Sequence, residues 1–215
     1  MTDRVLYVYP MSPFTRRARL CVLHKGLEVE IRDARASAAL VEEARRKSGL
    51  KTIPVLVDGE NVLGDSGAIA HYLDRAYPDR PTIFPREDAG LSFDVVSMVD
   101  AALNGIIDTG TRFYALKDSA AWETVKAEMV GRAQRALDVL GERTANLGRP
   151  TIARSGWSGA DMWLYTMTAW LEGLPERAAG GHQNIVQIMS LGWTLPASLS
   201  KWADAHRTRA DVAAL

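Results

Sequence analysis

Thr52-Ile53-Pro54-Val55-Leu56-Val57-Asp58-Gly59-Glu60-Asn61-Val62-Leu63-Gly64-Asp65-Ser66 decides the fold. Two apolar runs flank Asp58-Gly59, a dipeptide that accepts the positive φ of a tight hairpin turn, so an antiparallel strand pair is predicted. Pro54 has no N–H to give to a ladder and belongs at the first residue of a strand or on an edge. Asp65-Ser66 then caps a helix whose Ile69, Tyr72, Leu73 and Ala76 share one face.

Upstream of the hairpin, Arg4 to Tyr9 is rich in β-branched and aromatic residues and reads as a strand. Pro10 to Pro13 breaks it. Phe14, Ala18, Cys21 and Val22 then line one side of a helix that Gly26 stops. A short strand is expected around Glu28 to Arg32, and a helix from Ser37 to Lys47 ended by Ser48-Gly49. The order β-α-β-α-β-β-α within residues 1–77 starts with a right-handed βαβ crossover and closes with an antiparallel pair. That is the thioredoxin arrangement.

Residues 78–88 hold Pro78, Pro81 and Pro85 among polar neighbours and read as a linker. From 89 to 215 only helical patterns occur. Long helices are expected over Leu91 to Lys117, with Leu91, Val95, Met98, Val99, Ala102 and Ile106 on a stripe, and over Ser119 to Asn146. Further helices begin at Ser158, cover Gln183 to Met189 and run from Pro196 to His206. The fold class is therefore an α/β thioredoxin-like domain followed by an all-α helical bundle.

The 26 basic and 26 acidic residues cancel. They divide as 13 and 11 up to residue 80 and 13 and 15 beyond it, so neither part carries the basic patch that nucleic acid demands. No signal layout opens the chain, and no apolar run is read as approaching the roughly 20 residues of a spanning helix, so no membrane partner is expected. The single cysteine, Cys21, and four scattered histidines leave no disulfide framework and no metal-ligand spacing. A cytoplasmic protein without a metal is expected.

Three local patterns, in order, resemble the cytosolic glutathione transferase family. Tyr9-Pro10-Met11-Ser12-Pro13-Phe14-Thr15-Arg16-Arg17 resembles the strand-to-helix turn of its serine- and cysteine-type classes. It is nearest the omega class, whose Cys-Pro-Phe motif would place its cysteine at Ser12. Ile53-Pro54 resembles the family's cis-proline strand start. Leu63-Gly64-Asp65-Ser66-Gly67-Ala68-Ile69 resembles its Glu/Asp-Ser-x-Ala-Ile helix start. A weaker likeness, Trp157-Ser158-Gly159-Ala160-Asp161-Met162, has capping-box spacing with a flanking hydrophobic staple.

The resemblance implies a glutathione transferase with glutathione as cosubstrate. Ser12 would be the catalytic group, donating to the glutathione sulfur at a helix N-terminus that favours thiolate. Phe14, Thr52, Ile53, Pro54, Asp65 and Ser66 would bind glutathione. Asp65 would accept from the γ-glutamyl ammonium, and Ser66 would hold its carboxylate. Thr52 stands where the family often has lysine or glutamine, which weakens the glycine end. A hydrophobic electrophile would lie in a cleft walled by Met11, Phe14, Arg112, Phe113 and Tyr114. The family implies a homodimer and a role in detoxification.

Three other readings stay open. Tyr9, which shares a strand face with Tyr7, could replace Ser12 at the sulfur. Cys21 reads as a buried structural thiol, and serine at position 12 removes the mixed-disulfide chemistry of the omega class. A non-catalytic binding or regulatory protein, similar to the stringent-starvation-protein relatives, is the alternative function.

Overall fold

Covered on both faces, the first strand buries Leu6, Tyr7 and Val8, while Arg4 and Val5 stay partly open. A computed structural model describes residues 4–215, with Tyr114 described by its backbone alone. The first segment runs β1 (Arg4–Val8), α1 (Pro13–His24), β2 (Glu30–Asp33), α2 (Ala38–Ser48), β3 (Val55–Asp58), β4 (Asn61–Gly64) and α3 (Ser66–Ala76). This is the order expected, with ends displaced by a residue or two. The strands lie β2-β1-β3-β4, with β1 parallel to β2 and β3 antiparallel to both β1 and β4.

One face of the sheet is closed by α2. Tyr7, Ala34, Ala44, Ile53 and Val55 form a buried cluster there, edged by Leu40, Val41 and Tyr9. On the opposite face Leu6, Val8 and Leu56 are also buried, α1 packs on α3, and α3 lies on β3 and β4. Gly26 and Gly49 end α1 and α2 at φ 61° and 70°, where a Cβ would be strained.

Two compact units divide the chain. The first comprises residues 1–89, 153–162 and 207–215; the second, 90–152 and 163–206. The first unit thus takes in two stretches of the expected helical region, and polar bonds explain why. Asp88 accepts from the Ser155 backbone N–H (3.0 Å) and hydroxyl (2.7 Å), and Gly159 N–H donates to the Ile83 carbonyl (2.6 Å). Arg19 donates to the carbonyls of Leu215 and Ala214 at 2.7 and 2.8 Å. Within the same unit, buried Lys25 donates to Asp74 (2.8 Å), whose carboxylate also accepts from Ile83 and Phe84 N–H. Burial opposes ionisation of Asp74, but these donors win and hold its pKa below the usual carboxylate range.

The later helices are α4 (Ala89–Leu116), α5 (Trp122–Ala145), α6 (Gly159–Glu172), α7 (Leu174–Ala179), α8 (Gln183–Met189), α9 (Ala197–Asp204) and α10 (Ala210–Ala213). Of these, α7 and α10 were not expected; at six and four residues they are too short to show a period. Gly105 and Gly110 leave α4 continuous because they serve close packing. A Cβ on Gly105 would sit 3.1 Å from Ala133 of α5, and one on Gly110 2.5 Å from Ile188 of α8.

The expectation that no apolar run reaches membrane-spanning length needs correction. Arg86–Phe113 is a helix of that length, and an 18-residue stretch within it has a mean hydropathy of 1.4. Asp94, Asp100 and Asp108 interrupt an apolar stripe whose Val95, Val99, Ala102, Leu103 and Ile106 are buried. Ser158 and Asp161 form the expected cap of α6: the Asp161 carboxylate accepts from Ser158 N–H (3.1 Å) and hydroxyl (2.8 Å).

A testable electrostatic tie holds α10 to α1. Burial raises the Asp211 pKa, yet His24 (Nδ1, 3.8 Å) and Arg209 (Nε, 3.1 Å) outweigh it and bring it to about 2. A depressed carboxylate pKa adds stability above its unfolded value, lost as pH falls through the folded one. Wild type should therefore exceed Asp211→Asn in melting temperature at pH 5 to 7. The gap should narrow between about pH 4 and pH 2. A gap that does not change with pH would contradict the tie.

Candidate functional site

Register collects the expected binding residues at one sheet end. Tyr7 pairs with Val55, and Val55 with Gly64. The residues following β1, preceding β3 and following β4 therefore emerge side by side. They are the Tyr9–Ser12 turn, Ile53-Pro54 and Asp65-Ser66.

Ser12 is half-buried and is the N-cap of α1, with φ −76° and ψ 129°. Its backbone N–H donates to the Tyr9 carbonyl at 2.8 Å, and its Oγ accepts from Thr15 N–H at a long 3.4 Å. A hydroxyl that accepts still has its own proton to give. Pro13 follows as the first helical residue, where its missing N–H costs nothing. Phe14 is half-buried beneath the Arg17 guanidinium, 5.4 Å from its ring centroid. Met11 is 41% exposed.

The Ile53–Pro54 peptide bond is cis, as the resemblance implied, and both residues are buried. Thr52 beside them is exposed. Asp65 caps α3, its Oδ1 accepting from Gly67 N–H (2.8 Å) and Ala68 N–H (3.1 Å). Asp65 is the one described non-glycine residue at positive φ, 78° with ψ 134°. That conformation directs its carboxylate back over the first turn. Gly67 is explained by the same contact, since a Cβ there would lie 3.1 Å from Asp65 Oδ1. Ser66, 1% exposed, is the first residue of α3.

Tyr7 of β1 and Tyr9 just beyond it both lie at the α2-side cluster. Buried Tyr7 donates to Glu43 Oε1 at 2.6 Å and accepts from Arg32 at 3.2 Å. Burial and the Glu43 bond raise its pKa. Tyr9 edges the same cluster, with the Arg35 guanidinium 5.7 Å above its ring. Cys21 is fully buried, its thiol pushed up to about 12 by desolvation and its Sγ 3.8 Å from Met162 Sδ. Such a thiol is inert at neutral pH.

In the second unit, Arg112 and Phe113 lie in the last two turns of α4. Arg112 is exposed, and Phe113 meets Trp122 edge-on at 5.7 Å. The Tyr114 side chain, also expected at the electrophile, lies outside the described residues. Among the described residues no three His, Cys, Asp or Glu gather as for a metal ion. At the other end of the sheet a polar cavity of about 480 Å³ is lined by Arg4, Asp58, Tyr72 and Tyr77, among others. These groups satisfy one another: Tyr72 and Tyr77 donate to Asp58, and Arg4 lies 3.3 Å from it.

Sequence reading passed over Thr15 and Arg35. Thr15, 1% exposed, accepts Tyr9 N–H on its Oγ1 at 3.2 Å. Its position three residues after an N-cap serine was the available signal. Arg35 offered none, because only the β1–β2 pairing brings it beside Tyr9.

A four-stranded βαβαββα layer with a cis-proline facing a helix start is a thioredoxin-like domain. Residues 6–81 match the family model for the glutathione S-transferase N-terminal domain. The chain is 26% identical to a probable glutathione S-transferase GSTU1 of Oryza sativa subsp. japonica over 186 residues, 78% of this chain and 74% of that one. It is 37% identical to a probable maleylacetoacetate isomerase of Vibrio cholerae over 93 residues, 41% and 43% of the two chains. In fold it is similar to a Methylobacterium radiotolerans glutathione S-transferase solved with glutathione sulfonate. That likeness has a TM-score of 0.75 and 20% identity, and it covers 99% of this chain and 94% of that one. The sequence likeness to the glutathione S-transferase N-terminal domain thus lies in residues 6–81, and the likeness in fold extends over nearly the whole chain.

The Asp65 geometry is testable by substitution. Asp65→Ala loses the cap and keeps the strained φ, so it should destabilise by about 1 to 2 kcal/mol in urea unfolding. Asp65→Gly loses the cap but relieves the strain, and should stay within about 1 kcal/mol of wild type. A glycine variant less stable than the alanine variant would refute the strain.

Proposed function

We propose that this protein is a glutathione transferase that ionises the thiol of bound glutathione for attack on a hydrophobic electrophile. The observation carrying this is the single sheet end that joins a serine-capped helix, a buried Ile53-Pro54 and an acid-serine helix start. Similarity to a probable glutathione S-transferase supports transferase activity.

In this reading glutathione lies along that sheet end. Asp65 accepts from the γ-glutamyl ammonium, while the Ser66 hydroxyl and the N–H groups opening α3 hold its carboxylate. The backbone of Ile53 pairs with the cysteinyl residue. Ser12 donates its proton to the sulfur while Thr15 N–H donates to Ser12 Oγ. Phe14 packs against the peptide. Thr52 offers no charge to the glycine carboxylate, leaving that end the weakest held. Met11, Arg112, Phe113 and Tyr114 are proposed as contacts of the electrophile. Detoxification in the cytoplasm, as a homodimer, is the setting we propose.

Magnitudes decide which group matters at sulfur. A hydrogen bond to a charged acceptor contributes about 1.5 to 3 kcal/mol, a helix terminus about 0.3 to 1. At 1.36 kcal/mol per pKa unit, the hydroxyl would lower the thiol pKa by about 1 to 2 units and the dipole by less than one. Attack needs thiolate and positioning, which these groups and the binding contacts supply.

Glutathione at millimolar concentration should raise the melting temperature. In a conjugation assay at pH 6.5, Ser12→Ala should lower kcat/KM by about 10- to 100-fold, and Tyr9→Phe by less than about threefold. A protein that neither conjugates nor gains stability from glutathione would instead be the non-catalytic relative, which the uncharged Thr52 favours. An undiminished Ser12→Ala would remove Ser12 from the sulfur.

A further inference from the structure

We propose that Thr15 is a positioning residue that aims the Ser12 hydroxyl. Three hydrogen bonds link Tyr9, Ser12 and Thr15 in a closed ring. Tyr9 N–H donates to Thr15 Oγ1 (3.2 Å), Thr15 N–H donates to Ser12 Oγ (3.4 Å), and Ser12 N–H donates to the Tyr9 carbonyl (2.8 Å). The ring spans the junction between β1, which ends at Val8, and α1, which begins at Pro13. Pro10 and Pro13 have no N–H and cannot hold the turn themselves.

Only one bond in this ring depends on a side chain other than that of Ser12. It is the acceptor that Thr15 Oγ1 offers to Tyr9 N–H. Threonine is disfavoured in a helix interior because its hydroxyl competes for backbone groups. Here that tendency is turned outward, and the hydroxyl reaches back past the helix start to the strand. Thr15 is 1% exposed, so water cannot replace the acceptor from that side. Without it Tyr9 N–H is released and the turn loosens. Ser12 Oγ, already on a long bond to Thr15 N–H, then loses its fixed direction. Charged groups around the ring, Arg16 and Arg17 on α1 and Arg35 above Tyr9, are not changed by substitutions at Thr15.

The proposal rests on Ser12 acting at the glutathione sulfur, and the test separates the two ideas. Thr15→Val keeps shape and removes the acceptor; Thr15→Ser restores it. The acidic limb of the kcat/KM–pH profile reads thiol ionisation in conjugation. Thr15→Val should move that limb up by about one unit and lower kcat about tenfold at pH 6.5, with KM for glutathione within about twofold. Thr15→Ser should restore both. In a Ser12→Ala background Thr15→Val should add no further shift.

A folded Thr15→Val with the wild-type profile, or a Thr15→Ser as impaired as valine, would overturn the proposal while leaving Ser12 in place. A Ser12→Ala with the wild-type profile would overturn both. Should Thr15→Val not fold, Thr15→Ala is scored against Thr15→Ser on the same profile and decides by the same outcomes.

Discussion

The pairing of Tyr7 with Val55 and of Val55 with Gly64 is the constraint on which the rest depends. A slip of one residue in either pair would turn every side chain of β3 to the opposite face. It would carry Val55 out of the cluster under α2 to the face that α1 and α3 cover, and separate the turn before α1 from Pro54 and Asp65. The hairpin at Asp58-Gly59 fixes one of these pairings locally. The buried faces fix the other, because Tyr7 and Val55 must both lie under α2 while Leu6 and Leu56 lie under α1 and α3.

Much of this was legible in the residues. β-Branched and aromatic residues marked β1, Asp58-Gly59 marked the hairpin, and Asp65-Ser66 marked the capped start of α3. The positive φ of Asp65 was not legible, since an aspartate N-cap ordinarily sits in the extended region. Gly67 gave an indirect sign of it. The apolar reach of α4 was missed because Asp94, Asp100 and Asp108 leave no unbroken apolar run along it. The ring through Thr15 was hidden for another reason. Its key bond joins a helix side chain to a strand amide, and no periodicity records such a bond.

Ser12 and Asp65 hold equivalent positions at two helix starts but differ in what they leave available. Asp65 spends one oxygen on Gly67 and Ala68 and keeps a negative charge for an ammonium. Ser12 accepts one long bond and keeps a proton for an anion. In the function we propose, Asp65 meets the need of the γ-glutamyl ammonium of glutathione and Ser12 that of its thiolate. Tyr7, whose hydroxyl is bound to Glu43 and Arg32, cannot meet the second need without losing a buried bond.

A crystal structure with glutathione tests the central claim most directly. The account predicts the sulfur within about 3.5 Å of Ser12 Oγ and the γ-glutamyl group at the start of α3. A sulfur bound instead to the Tyr9 phenol, or glutathione lying away from the Pro54 end of the sheet, would contradict it.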